Sequence, residues 1–288
     1  MKLLQLYDEK NRPLVLDGAM GGYLQQQGII LPGGLWSTAA NISAPQKVMD
    51  LHKEYVNAGA DIITSNTFRT NPHFAKPRFD VNQLVREAVQ LARNAIAGRQ
   101  VLLAGSNAPA EDSYQTERTI KKEQLVSNHH EHIDALIEAG VDIIWNETFS
   151  HRDEIEIVCS YCNQNNYEYT INLFFGNNLR LLSGEPLEVI LELITQYKPA
   201  AVGFNCIYEP TFSNIDLTTL IDNFGFYLNC GAGSFKDKII RTGVSPQSYA
   251  LTILPYLEYN PVYIGSCCGS SPAHTQKIRD TLVEIYND

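Results

Sequence analysis

Eight short apolar runs, at positions 13–16, 61–64, 101–104, 141–145, 169–175, 200–204, 224–228 and 262–264, constrain this chain more than any other feature. Each is too short for a helix and rich in Val, Ile, Leu or Phe, as strands buried on both faces are. They recur at roughly 25- to 45-residue intervals with amphipathic stretches between them, the rhythm of βα units around a parallel sheet. The stretch 45–58 puts Val48, Leu51, His52 and Tyr55 on one helical face. The stretch 81–97 does the same with Leu84, Val85, Ala88, Leu91, Ala92 and Ala95. In 123–139 the stripe is Leu125, His129, His132, Ile133, Leu136 and Ile137, and further helices are expected over 153–162, 186–197, 246–257 and 272–286, with a short one over 211–222. Two helices end alike, in Ala58-Gly-Ala-Asp-Ile-Ile-Thr64 and Ala139-Gly-Val-Asp-Ile-Ile-Trp145. In each, a glycine closes the helix and a strand follows.

Eight such strands with right-handed crossovers close most simply as a (β/α)8 TIM barrel. An open doubly wound sheet would need a G-x-G-x-x-G turn after the first strand. Asp17-Gly-Ala-Met-Gly-Gly22 does not fit that pattern. No break in composition divides the chain, so one domain over 1–288 is expected. The segment 28–41 reads as a long loop, and long loops are often functional.

The 288 residues carry a formal net charge of -10, which argues against nucleic acid as a partner. No apolar run approaches the roughly 20 residues of a membrane span, and the N-terminus lacks a signal-peptide core. Six cysteines in a chain of this length are no disulfide framework, so a reducing, cytoplasmic setting is expected.

In a barrel, chemistry gathers at the C-terminal ends of the strands. The residues at or just past the runs are Asp17, Ser65, Asn66, Thr67, Ser106, Asn107, Glu147, Cys206, Asn229, Cys267 and Cys268. Cys267 and Cys268 are adjacent, and the flanking Gly265 and Gly269 free both sulfurs to turn the same way. With Cys206 they offer three thiolates and one open position, a donor set that suits catalytic zinc. Such a site holds a bound thiol as a thiolate, and the natural reaction is alkyl transfer to a thiol substrate. Asp17 and Glu147 can hold an ammonium group on that substrate, and backbone N–H groups near 17–22 its carboxylate. Cys159 and Cys162 lie inside a helix and read as core. Cys230 reads as a bystander, and His129, His130 and His132 as packing or surface.

These motifs resemble those of the homocysteine S-methyltransferase family, over nearly the whole chain. The carriers are Asp17-Gly-Ala-Met-Gly with Leu24 and Gly28, Thr64-Ser-Asn-Thr-Phe68 with Asn71, Gly140-Val-Asp-Ile-Ile-Trp-Asn-Glu-Thr148, Gly203-Phe-Asn-Cys206 and Gly265-Ser-Cys-Cys-Gly269. The resemblance implies a zinc-holding barrel that transfers a methyl group to homocysteine, giving methionine. It places Cys206, Cys267 and Cys268 on the zinc ligands. Asp17 and Glu147, with Ser65 and Asn66 beside them, fall at the amino-acid end of homocysteine. Asn229, in Tyr227-Leu-Asn-Cys-Gly231, falls where an asparagine can fill the open position before substrate arrives. The chain departs from the family's Gly-Gly-Cys-Cys, from its third-strand Gly-Pro segment and from its seventh-strand Pro-Asn motif, all at the mouth. A stand-alone barrel is similar to the branch using S-methylmethionine or S-adenosylmethionine. The alternatives are the same chemistry on another thiol or a selenol, or a barrel that binds thiol or metal without catalysis.

Overall fold

A computed structural model describes residues 2–31, 33–219, 222–233 and 240–286. All eight expected strands form: β1 (Leu14–Val15), β2 (Ile62–Thr64), β3 (Leu102–Asn107), β4 (Ile143–Phe149), β5 (Tyr169–Leu173), β6 (Ala201–Asn205), β7 (Phe224–Leu228) and β8 (Tyr263–Ser266). They make one parallel sheet in the order β1-β8-β7-β6-β5-β4-β3-β2. A parallel bridge between Leu16 and Ile62 joins its two ends into a barrel. A two-stranded antiparallel piece, Gly231–Ala232 with Arg241–Thr242, sits beyond β7.

The helices follow the apolar stripes: Pro45–Asn57, Val81–Ile96, Lys122–Glu138, Arg152–Gln164, Leu187–Thr195, Pro246–Ile253 and Pro272–Tyr286. The helix expected over 211–222 is instead two short pieces, Glu209–Phe212 and Leu217–Thr219. Asn214 and Asp216 bond to nearby backbone, at Pro210 O and Thr218 N–H, and so compete with helix continuation. Positions 220 and 221 lie outside the described residues. Within the expected loop 28–41, a 3-10 turn (Trp36–Ala39) runs into a short helix (Ala40–Ser43). An unforeseen helix, Leu3–Lys10, tucks Leu3 and Leu6 under the barrel, where the Leu3 N–H donates to Glu168 Oε1 at 2.8 Å.

Inside the barrel, Leu14, Leu16, Ile62, Leu102, Ala104, Ile143, Trp145, Tyr227 and Tyr263 form a core separate from the layer between sheet and helices. The Tyr263 ring lies across this interior, 4.7 Å from Trp145 between centroids, with its hydroxyl bonded to Asn172. Only glycine fits beneath it on β7, because a Cβ at Gly225 would come within 2.5 Å of the ring. Gly225→Ala is therefore expected to overpack the interior by about 1–3 kcal/mol, measured as a lower thermal midpoint of the purified protein.

Strands β3 and β4 run farther than their apolar runs, so Ser106, Asn107 and Glu147 lie within strands rather than past them. Their polar side chains have partners, so polarity does not end the ladder. Behind the sheet Asn107 bonds Asn146 and His132, His132 bonds Thr70, and His129 bonds Glu154. His129 and His132 are thus satisfied core residues, in keeping with the expectation of packing.

Candidate active site

At the C-terminal end of the strands lies a cavity of about 1040 Å³. Asp17, Ser65, Asn66, Glu147, Cys206, Asn229, Cys267 and Cys268 all line it, although they come from six strand ends spread over the chain. The barrel topology alone brings them to one mouth.

The sulfurs form one cluster. Cys206, Cys267 and Cys268 have Sγ atoms within 4.8 Å of one another, and they are the one such group of possible metal ligands among the described residues. Cys268 Sγ stands 3.9 Å from Cys206 Sγ and 4.0 Å from Cys267 Sγ. The expectation of three free thiolates needs a correction here: Cys206 and Cys267 are joined by a disulfide. Two cysteines whose Cα atoms are 5.5 Å apart are within bonding reach once their thiols oxidise. Tetrahedral Zn–S bonds of about 2.3 Å set sulfurs about 3.8 Å apart. The spacing to Cys268 matches that value, and the donor set fits zinc when the Cys206–Cys267 bond is reduced. Burial pushes the Cys268 thiol up to about 11. Without a cation beside it, this sulfur keeps its proton at neutral pH.

Backbone conformation aims these sulfurs. Cys206 follows β6 with a left-handed φ of 56°, and its N–H donates to Tyr227 O at 3.1 Å. Gly269 turns the chain after the cysteine pair at φ 81°, and a Cβ there would come within 2.5 Å of the Gly231 backbone.

The two acids face the same cavity from β1 and β4. Glu147 accepts a hydrogen bond from the Ser106 hydroxyl and one from the Tyr227 hydroxyl at 3.4 Å. Burial nevertheless raises its carboxyl to about 7. Burial also lifts Asp17 well above the usual carboxylate range, against the Thr64 N–H at 2.8 Å and the Thr64 hydroxyl, and the charge of Glu147 adds to the rise. Two buried acids, one of them raised further by the charge of the other, make a place where a cation is welcome.

The remaining expected residues have local partners. Ser65 Oγ bonds Thr67 Oγ1 at 2.8 Å and accepts the Ser106 N–H at 3.3 Å. The Asn66 amide donates to Ser37 O and Asn41 Oδ1, tying β2 to the segment 28–41. Asn229 Oδ1 accepts the Gly231 N–H at 2.6 Å. The Ala19 N–H donates to Ser270 Oγ at 3.0 Å, which takes one of the N–H groups expected near 17–22 to hold a carboxylate. Cys230 is buried with its sulfur 3.8 Å from Leu228 O, and Cys159 and Cys162 are buried in the outer core.

Sequence reasoning passed over Tyr227, Tyr114, Trp36 and the Arg69–Asp112 pair, which also line the cavity. Tyr227 was within reach: it lies on a strand two residues before Asn229, on the same face. The segment after β3, which brings Asp112 and Tyr114 over the mouth, carries no pattern that points there.

The homocysteine S-methyltransferase family model matches residues 14–282. A homocysteine S-methyltransferase of Escherichia coli K12 is 27% identical, over 92% of this chain and 94% of its own length. A selenocysteine methyltransferase of Astragalus bisulcatus is 25% identical, over 96% and 93%. Crystal structures of the homocysteine methyltransferase MmuM from Escherichia coli share the fold. The metallated form superposes with a TM-score of 0.81, at 24% identity over 97% of this chain and 99% of that one. The oxidized form gives 0.83 at the same identity and coverage.

Proposed function

The chain belongs to the homocysteine S-methyltransferase family, and on that premise we propose that it is a zinc-dependent enzyme moving a methyl group from a sulfonium donor, S-methylmethionine or S-adenosylmethionine, to homocysteine. The observation that carries this reading is the cluster of three sulfurs in one cavity with two buried acids. Reduced Cys206, Cys267 and Cys268 would hold the ion, with Asn229 a candidate for its remaining position before substrate binds. Zinc supplies a means of keeping the acceptor sulfur deprotonated at neutral pH. A reducing, cytoplasmic setting would keep the three thiols open.

Asp17 and Glu147 bind the homocysteine ammonium, and Ser65 and Asn66 shape the wall beside it. The acceptor sulfur attacks the methyl carbon. The bond from that carbon to the donor sulfur breaks, the donor leaves as a neutral thioether, and the thiol proton passes to solvent. The product is methionine. Charge is annihilated in this step, so a site that excludes water favours it, and Trp36, Phe68, Tyr114 and Tyr208 supply apolar wall. Asp17, Asp112 and Glu147 face Arg69 as the one cation among the described lining residues. Asp112 stands 3.5 Å from Arg69 and offsets it, so the lining presents no surplus positive charge to an anionic folate, and a cationic sulfonium is the better fit.

The test is a donor screen with reduced, zinc-loaded protein and homocysteine, read as methionine. Turnover with S-methylmethionine or S-adenosylmethionine is expected; turnover with betaine or methylfolate alone would refute the donor assignment. The likeness to a selenocysteine methyltransferase supports a second acceptor reading, and selenocysteine in place of homocysteine in the same screen decides it.

A further inference from the structure

We propose that Asn205 is a positioning residue which, through Thr148, sets where Glu147 stands relative to Cys206. The inference rests on the functional reading above, in which Glu147 binds the acceptor and Cys206 holds the metal. Both residues sit beside an irregular piece of backbone. The β4–β5 register shifts between Asn146 and Phe149, and Thr148 within that shift has a left-handed φ of 64°. Cys206, directly after Asn205, has a φ of 56°.

Each irregularity re-aims a side chain. On β4, Trp145 faces the barrel interior, so by alternation Glu147 faces it too. Phe149 would follow them inward, but it packs in the outer layer, 5.6 Å from His129 between ring centroids. The bulge therefore makes Glu147 the last inward residue of its strand. On β6, Val202 and Phe204 face the outer layer. Cys206 still borders that layer, and its left-handed turn brings the sulfur to the cluster at the mouth.

Left-handed backbone is unfavourable for any residue with a Cβ, most of all a β-branched one, and persists only where neighbours hold it. Asn205 does so at Thr148. Its Oδ1 accepts the Thr148 N–H at 2.9 Å and its Nδ2 donates to the Thr148 hydroxyl at 2.8 Å. Both residues are fully buried, and the fork reaches past β5, which lies between β4 and β6. The job needs an acceptor and a donor at one spacing. Aspartate lacks the donor and adds a charge beside Glu147, glutamine is a methylene too long, and alanine offers neither group. The clamp thus couples the strand that carries the acceptor's acid to the strand that carries a metal ligand; Thr148 itself lines the cavity, whereas Asn205 stands behind it and acts only through Thr148.

The experiment compares Asn205→Ala, Thr148→Val and Thr148→Ser with the parent enzyme, all reduced and zinc-loaded. Zinc content, thermal midpoint, homocysteine affinity by calorimetry, and KM and kcat are read together. Loss of the clamp is expected to weaken homocysteine binding and raise its KM about tenfold, the effect of losing one or two buried hydrogen bonds, with zinc retained and kcat changed less. Thr148→Ser keeps the hydroxyl and is expected to recover most of the affinity lost in Thr148→Val. Equal affinity in parent and clamp variants would overturn the proposal. So would Thr148→Ser and Thr148→Val losing affinity equally, in step with thermal stability. A parent enzyme that binds no homocysteine refutes the functional reading instead. The clamp is then judged by a crystal structure of Asn205→Ala: Thr148 leaving the left-handed region supports it, and an unmoved Thr148 overturns it.

Discussion

Cys268→Ala protein is expected to fold, to bind no zinc after reduction and metal loading, and to transfer methyl groups on the order of a thousandfold more slowly than the parent. Residue 268 is half-buried at the cavity wall, and its backbone bond, Cys268 O accepting the Cys230 N–H at 2.8 Å, does not need the sulfur. Stability should therefore change little. Metal binding should not survive, because two thiolates, with at most the neutral Asn229 amide beside them, are a far weaker donor set for zinc than three thiolates. A thousandfold loss corresponds to about 4 kcal/mol of transition-state stabilisation, a reasonable cost for an acceptor sulfur no longer held deprotonated. Zinc content and kcat/KM on the same preparation check both halves. Cys230→Ala is the control: its sulfur lies outside the cluster, so zinc and turnover should persist at some cost in packing.

Glu147→Gln is expected to weaken homocysteine binding about a hundredfold, the scale of losing a desolvated charge partner for an ammonium. It should also change the pH profile. Burial raises the Glu147 carboxyl to about 7 in the substrate-free protein. The ammonium requires the ionised form, so Glu147 alone should make acceptor affinity fall about tenfold per pH unit below 7, and the Gln variant should lose that share of the slope, leaving the part due to Asp17. Folding stability has the opposite sense. A carboxyl raised from its ordinary 4.5 to about 7 contributes stability that is full below 4.5 and lost as pH rises through 7. Asp17, raised by burial, pushes the same way. The substrate-free protein should thus be less stable at pH 8 than at pH 5 on account of these acids. Glu147→Gln should flatten the difference, as denaturant unfolding at the two pH values would show.

The barrel was legible because its strands are buried on both faces, which leaves apolar runs too short for helices at regular intervals. The cysteines were legible because adjacent residues in a strand cannot share a face, so Cys267 and Cys268 had to lie at a turn. Strand ends were less so. At Ser106 and Glu147 polar side chains stay inside the ladder, since each finds a partner on the neighbouring strand. The Asn205–Thr148 clamp could not be read at all: it joins positions 57 apart through two side-chain bonds that leave no periodicity. The Asn66 amide is a similar case, pairing with Ser37 and Asn41 across a turn between the first two strands. The Cys206–Cys267 bond depends on oxidation state, which composition predicts only through compartment.

X-ray absorption at the zinc edge, on protein reduced and loaded with one metal equivalent, addresses the heart of the mechanism. Three sulfur neighbours at about 2.3 Å, with a fourth appearing when homocysteine is added, are expected. A coordination shell of only nitrogen and oxygen, or no retained zinc, would contradict it.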